Sequence, residues 1–242
     1  IQYHSLHFTH IHQVFKFMEA HDQCDGRSSL HLRRVRNLWI AMSHPLDYFS
    51  VQGSRSHADS IVSRLLSLCQ NLEGATLLYL RPGLWRRLEQ AIPPSLKRLT
   101  LGPGPTNFSI RELTQVPRLE QFTGVFGVLS KTSFEELVAC DFVRKVRFFT
   151  WEGEVGALEG LVQENIASAR KTEGHKLNLE FLFSYVLQGW DVADARRFLR
   201  LDEGDEQISV KLLRSETWDE ALLKEFTSGW FDFIGKLHLS RK

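Results

Sequence analysis

Cysteine is scarce. The chain has three in 242 residues, Cys24, Cys69 and Cys140. So sparse and odd a set builds no disulfide framework, which points to a reducing, intracellular setting, cytoplasm or nucleus. Long apolar runs are missing as well. No stretch approaches the roughly 18 apolar residues of a membrane span, and no signal-peptide pattern opens the chain, so no membrane partner is expected. A surplus of one charge is absent too, since 30 basic and 29 acidic residues leave a net +1. A dedicated nucleic-acid binder carries a clear basic excess, so nucleic acid is not an expected partner. The short arginine clusters (Arg33, Arg34, Arg36; Arg86, Arg87; Arg196, Arg197) sit beside regularly spaced apolar residues and read as solvated faces.

Catalytic signatures are equally thin. There is no G-x-S-x-G elbow for a hydrolase serine. The glycines of LGPGPTNF (101–108) are followed by prolines, which lack the N–H groups a phosphate cradle needs. The acidic run LDEGDEQ (201–207) lacks the length and closing glutamate of a calcium loop and reads as a turn. His4, His7, His10, His12 and His21 crowd the first residues, but without the spacing of a zinc site. Cys69 and Cys140 lie among apolar residues and read as core thiols, whereas Cys24 lies in a polar loop. No catalytic residue, metal ligand or cofactor is expected.

What the chain does have is a recurring unit. Hydrophobic residues make up 43% of it, and they fall into a repeated triplet: apolar, two residues, apolar, one residue, apolar. It reads Val35-Leu38-Ile40, Leu96-Leu99-Leu101 and Val143-Val146-Phe148, with weaker versions at Ala75-Leu78-Leu80 and Leu119-Phe122-Gly124. The runs LNLEFLF (177–183) and ISVKLL (208–213) look like later members, and YHSLHF and KLHL (236–239) like the outermost. Alternate strand residues share a face, so the last two positions of each triplet point the same way, into a core.

Helical stripes lie between these strands. Ile61, Val62, Leu65, Leu66, Cys69 and Leu72 form one, closed by Gly74; Ile11, Val14, Phe15 and Met18 form another behind Thr9 as N-cap; Leu84, Leu88 and Ile92 form a third before Pro93-Pro94. Capping boxes at Ser109-x-x-Glu112, Ser133-x-x-Glu136 and Thr217-x-x-Glu220 predict later helix starts, with a further start at Asp191. The C-terminal segments WDEALLKEF and SGWFDF are amphipathic and suit a cap.

Strand–helix alternation at steps of about 20 to 40 residues fits a helix-containing repeat solenoid. A doubly wound sheet is the alternative. The triplet and the lack of a glycine-rich loop after the first strand favour the solenoid: a single α/β domain over 1–242, irregular and leucine-rich-repeat-like, with a curved, mostly parallel sheet and outer helices. Its best repeats span about 30–150, with looser ones and a cap over 151–242.

The segments LLSLCQNLEGATLLYL (65–80), IPPSLKRLTL (92–101) and LTQVPRLEQFTG (113–124), together with VRNLWI, resemble the leucine-rich-repeat region of F-box/leucine-rich-repeat-like proteins of mushroom-forming fungi. That resemblance implies a protein-interaction module, the substrate-recognition region of a ubiquitin ligase subunit. It also implies a Skp-type adaptor as partner, bound through a region upstream of Ile1. By strand phase, Trp39, Tyr79, Arg98, Thr100, Arg147 and Phe149 point out along the concave face, and Trp, Tyr and Arg are typical interface anchors. The competing reading is that the aromatics pack against neighbouring strands. The competing function is an α/β enzyme whose site is assembled from residues distant in sequence.

Overall fold

The computed structural model describes residues 4–23, 31–41, 55–78, 88–102, 108–113, 117–125, 129–151, 155–171, 177–184, 191–201 and 207–213. Eight strands run through it: β1 (Ser5–Phe8), β2 (Asn37–Ala41), β3 (Gly74–Leu78), β4 (Arg98–Gly102), β5 (Gln121–Val125), β6 (Lys145–Trp151), β7 (Asn178–Ser184) and β8 (Ile208–Leu213). Between them lie α1 (Ile11–Gln23), α2 (Arg55–Leu68), a 3-10 turn (Glu89–Ala91), α3 (Lys131–Val138), α4 (Val155–Lys171) and α5 (Val192–Phe198). All neighbouring strands pair in parallel, and the sheet order is β1 to β8 without a reversal. The fold is therefore α/β, with one eight-stranded parallel sheet. A doubly wound sheet reverses its strand order partway and binds ligands at that switch point; this sheet has no such point.

Sequential order has a consequence for layering. Parallel crossovers share one hand, so connections that always step the same way fall on one side of the sheet. The packing agrees. Leu38 and Ile40, Ala75 and Leu77, Leu99 and Leu101, Val146 and Phe148, Leu179 and Phe181 join one core cluster with Val14 and Met18 of α1, Val62, Leu65 and Leu66 of α2, Phe134 and Leu137 of α3 and Ile166 of α4. Within it, Phe148 stacks on Phe181 with ring centroids 5.5 Å apart, and Phe108 stacks on Phe122 at 4.9 Å.

The triplets mark these strands. One is out of step: β3 sends Ala75 and Leu77 into the core and Leu78 to the opposite face, so its triplet is Leu72-Ala75-Leu77, three residues before the predicted one. The aligned partners confirm the shift, because Ala75 pairs with Leu38 and Leu99. Three consecutive apolar residues, Leu77, Leu78 and Tyr79, had hidden the two-residue period.

The repeat also has a backbone signature. Just before strands β2 to β5 one carbonyl accepts two successive N–H groups from the start of the next strand. The carbonyl of Arg36 takes Glu73 and Gly74, that of Glu73 takes Lys97 and Arg98, that of Lys97 takes Glu120 and Gln121, and that of Glu120 takes Arg144 and Lys145. This ladder satisfies the backbone where side chains do not, and it holds the strand starts level.

The helix starts were read with mixed success. At Asp191 the box forms in full: its carboxylate accepts from Asp194 N–H at 2.8 Å, and the Asp194 carboxylate accepts from Asp191 N–H at 3.0 Å. At α3 the cap is Ser130, three residues before the predicted Ser133, which is itself buried in the helix. Residues 109–113 are not helical, and Ser109 Oγ instead donates to the Glu136 carboxylate at 2.6 Å. At α1, Gln13 reaches back to accept from the backbone N–H of Thr9 at 2.8 Å. The stripe Val62, Leu65, Leu66, Cys69 and Leu72 is fully buried, but α2 ends at Leu68, so Cys69 and Leu72 lie past it and Gly74 opens β3 rather than closing the helix. Burial pushes the Cys69 thiol up to about 12, which makes it an inert core group. Leu88 and Ile92 are buried on either side of the 3-10 turn. Leu84, Cys24, the box at Thr217, WDEALLKEF, SGWFDF and KLHL lie outside the described residues.

Candidate partner-binding face

The face turned away from the core cluster carries the other half of each strand, in rows fixed by the pairing. The first row is Ser5, Asn37, Gly74, Arg98, Gln121, Lys145 and Asn178. The second is His7, Trp39, Thr76, Thr100, Thr123, Arg147, Glu180 and Ser209. The third includes Leu78, Gly102, Val125, Phe149, Leu182 and Lys211.

These rows differ in chemistry. Leu78, Val125, Phe149 and Leu182 are buried, yet with Trp39 they lie outside the main core cluster. They form a second apolar band across adjacent strands. Gly102 belongs to this band for a steric reason: its φ is +154°, and a Cβ there would stand 2.1 Å from the Val125 carbonyl oxygen. In the middle row, Thr76, Thr100 and Thr123 sit side by side on three strands, and Thr123 is fully buried. β-branched side chains fit such a pleated, crowded surface.

Charge gathers at the far end of the face. Glu180 is 2% exposed, and its carboxylate meets Arg147 Nε at 2.5 Å, Lys211 Nζ at 2.6 Å and Lys145 Nζ at 3.1 Å. Burial alone raises a carboxyl pKa, but here the hydrogen bond from Lys211, the charge of Arg147 and the bonds from Arg147 and Lys145 outweigh it and hold the group at about 2. Glu180 is thus ionised at every physiological pH and fixes three cations from the two flanking strands, β6 and β8.

The first row holds a second arrangement. Arg98 Nη2 donates to Asn37 Oδ1 at 3.1 Å, from β4 across β3 to β2. Gly74 lies under that reach: a Cβ there would sit 2.8 Å from Asn37 Oδ1 and 3.4 Å from Arg98 Nη2. A side chain there would crowd the Asn37 amide oxygen that holds the guanidinium.

The described residues expected to line this face are on it, but most of them are not open to a partner. Trp39, at 7% exposure, Thr100 and Phe149 are buried, so the packing alternative describes these two aromatics. Trp39 meets the His7 ring edge-on, with centroids 5.6 Å apart. Arg147 keeps 11% of its side chain exposed and is committed to Glu180. Arg98 is exposed. Tyr79 lies outside the described residues. The physical reason is that strand phase decides which face a side chain takes, and says nothing of what lies over it.

Sequence reasoning missed Glu180, Lys145, Lys211 and Asn37. One signal was available, since Glu180 is the lone charge in the apolar run LNLEFLF and a buried charge demands partners. Of the arginine clusters, Arg33, Arg34 and Arg36 are exposed, and Arg36 bridges to Glu73 at 3.0 Å. Among the described residues, no group of three or more His, Cys, Asp and Glu side chains is placed to hold a metal ion. Among the same residues no helix is long and apolar enough to cross a membrane.

No protein-family model matches the chain, and no curated protein matches it in sequence.

Proposed function

We propose that the chain is a protein-interaction module that reads its partner along the sheet face opposite the helices. The observation that carries this reading is the division of labour across the sheet. One face is spent on the helix-covered core, while the other presents a polar first row that is half-buried apart from the exposed Arg98 and Asn178, and a fixed cluster of cations. Open strand faces of sequential repeats suit extended partners. The absence of a topological switch point removes the usual place for a small-molecule site in an open α/β sheet, which supports binding over catalysis. The triplet repeats and their resemblance to F-box/leucine-rich-repeat-like proteins support the narrower role of substrate recognition in an intracellular ubiquitin ligase, with a Skp-type adaptor bound elsewhere.

The test is affinity purification of the full-length gene product from its own cells, followed by cross-link mapping. A partner cross-linked to Lys145 or Lys211 supports the face, and co-recovery of a Skp-type adaptor with a cullin supports the ligase role. A partner whose cross-links fall only on the helices would overturn the sheet-face reading.

A further inference from the structure

From its charge layout, we infer that this sheet face takes an acidic, extended peptide segment laid across the strands from β4 to β8. The inference rests on the interaction reading above and names the chemistry of the partner.

Among the described residues of this face, the charged groups are Arg98, Lys145, Arg147 and Lys211 against Glu180 alone. Four cations and one anion leave three positive charges there, whereas the whole chain carries +1. The surplus is held in place. Glu180 anchors three of the cations while offsetting only one of them. Arg98 is oriented by the amide oxygen of Asn37, a neutral acceptor that leaves its charge uncompensated. Gly74 keeps the floor beneath the guanidinium low. Lys211 is 57% exposed and Lys145 33%, so both ammonium groups face solvent while remaining tethered. Preorganised cations of this kind lower the ordering cost of binding an anion.

Geometry sets the spacing of the partner. Arg98, Lys145 and Lys211 stand on β4, β6 and β8, two strands apart at each step. Strands lie about 4.8 Å apart and an extended chain rises about 3.3 Å per residue, so the step from Arg98 to Lys145, which share a row, spans about three residues, whereas Lys145 and Lys211 both reach the Glu180 carboxylate and present their ammonium groups together. Carboxylates three residues apart in an extended segment would meet first Arg98 and then the paired ammonium groups of Lys145 and Lys211. The second apolar band contributes no contact, because Leu78, Val125, Phe149 and Leu182 are buried.

The probe is a fluorescent peptide of about a dozen residues, with Glu at every third position in a Gly/Ser/Ala background, titrated by anisotropy against the whole 242-residue chain. Its controls are the same peptide with Lys for Glu, an isomer with the Glu residues clustered at one end, and a single-stranded oligonucleotide. The Glu-spaced peptide should bind best, and raising the salt should weaken it. The exposed double variant Arg98→Glu/Lys211→Glu, checked for unchanged circular dichroism, should lose about tenfold in affinity. Equal binding by the Lys peptide, no loss in the double variant, or tighter binding of the oligonucleotide that the variant abolishes would each overturn the inference. A natural partner cross-linked to the face yet indifferent to the double variant would overturn it too, while leaving the interaction reading intact. Should the cross-links instead fall only on the helices, the interaction reading goes and the peptide titration still judges the charge proposal.

Discussion

Phe148 and Phe149 are chain neighbours on β6, point to opposite faces, and are both buried, at 1% and 0% exposure. Phe148 belongs to the helix-covered core, stacked on Phe181; Phe149 belongs to the second band, beside Val125 and Leu182. At this point of β6, burial therefore does not distinguish the two faces of the sheet. What distinguishes them is composition along the ladder. On the core face, each row is apolar from β1 to β8. On the other, an apolar band, a threonine ladder and a polar, cationic first row run side by side.

The sharpest test of that contrast is to truncate each phenylalanine. Phe148→Ala should cost about 3–5 kcal/mol in denaturant unfolding, the range for emptying a buried aromatic site. Phe149→Ala should cost nearly as much; a loss below about 1 kcal/mol would break the claim that the second band is a true packed layer.

Glu180 comes next. Glu180→Gln should cost about 3 kcal/mol at neutral pH, because it leaves Arg147, Lys145 and Lys211 around a neutral group. The pH dependence follows in sign. The folded-state pKa, about 2, is depressed below the ordinary 4.5, so the unfolded chain takes up this proton first as pH falls. The stabilisation is complete above 4.5 and is lost on descending to about 2. Unfolding free energies measured across that window should converge for the native chain and the variant; a constant gap would show that the carboxylate charge is not what matters.

Gly102→Ala should cost about 2–3 kcal/mol, through its positive φ and the collision with the Val125 carbonyl. An unchanged melting temperature would mean that β4 and β5 do not approach so closely. Ser130→Ala, which removes the α3 cap, should cost about 1 kcal/mol on the helix side. Smallest of all, Arg98→Glu should alter stability by less than about 0.5 kcal/mol, since the residue is exposed. A larger destabilisation would move Arg98 from the proposed binding surface to the framework.

Much of the fold was legible in the residues themselves. Strand alternation and helical stripes are local periodicities, set by the geometry of the chain, so LKRLTL and VRKVRF announced their inward residues correctly, as did the stripe from Val62 to Leu72. The errors arose where the local code was degenerate. In LLYL every residue is apolar, so period and phase could not be separated, and β3 was displaced by three positions. At Ser109 and Ser133 a hydroxyl three residues before a glutamate met the rule for a box. The chain nonetheless used Ser109 as a donor to Glu136 and capped α3 with Ser130.

By itself the sequence determined an α/β chain of alternating strands and helices and, wherever the apolar period was unambiguous, which half of a strand faces the helices. Only the tertiary structure decided which side chains of the other half are open. Exposure there depends on pairing between strands that lie up to 66 positions apart in the chain, as for Lys145 and Lys211 on one carboxylate. Periodicity is a property of neighbours along the backbone. The meeting of Lys145, Arg147 and Lys211 at Glu180 is a property of strand register, which no single strand encodes.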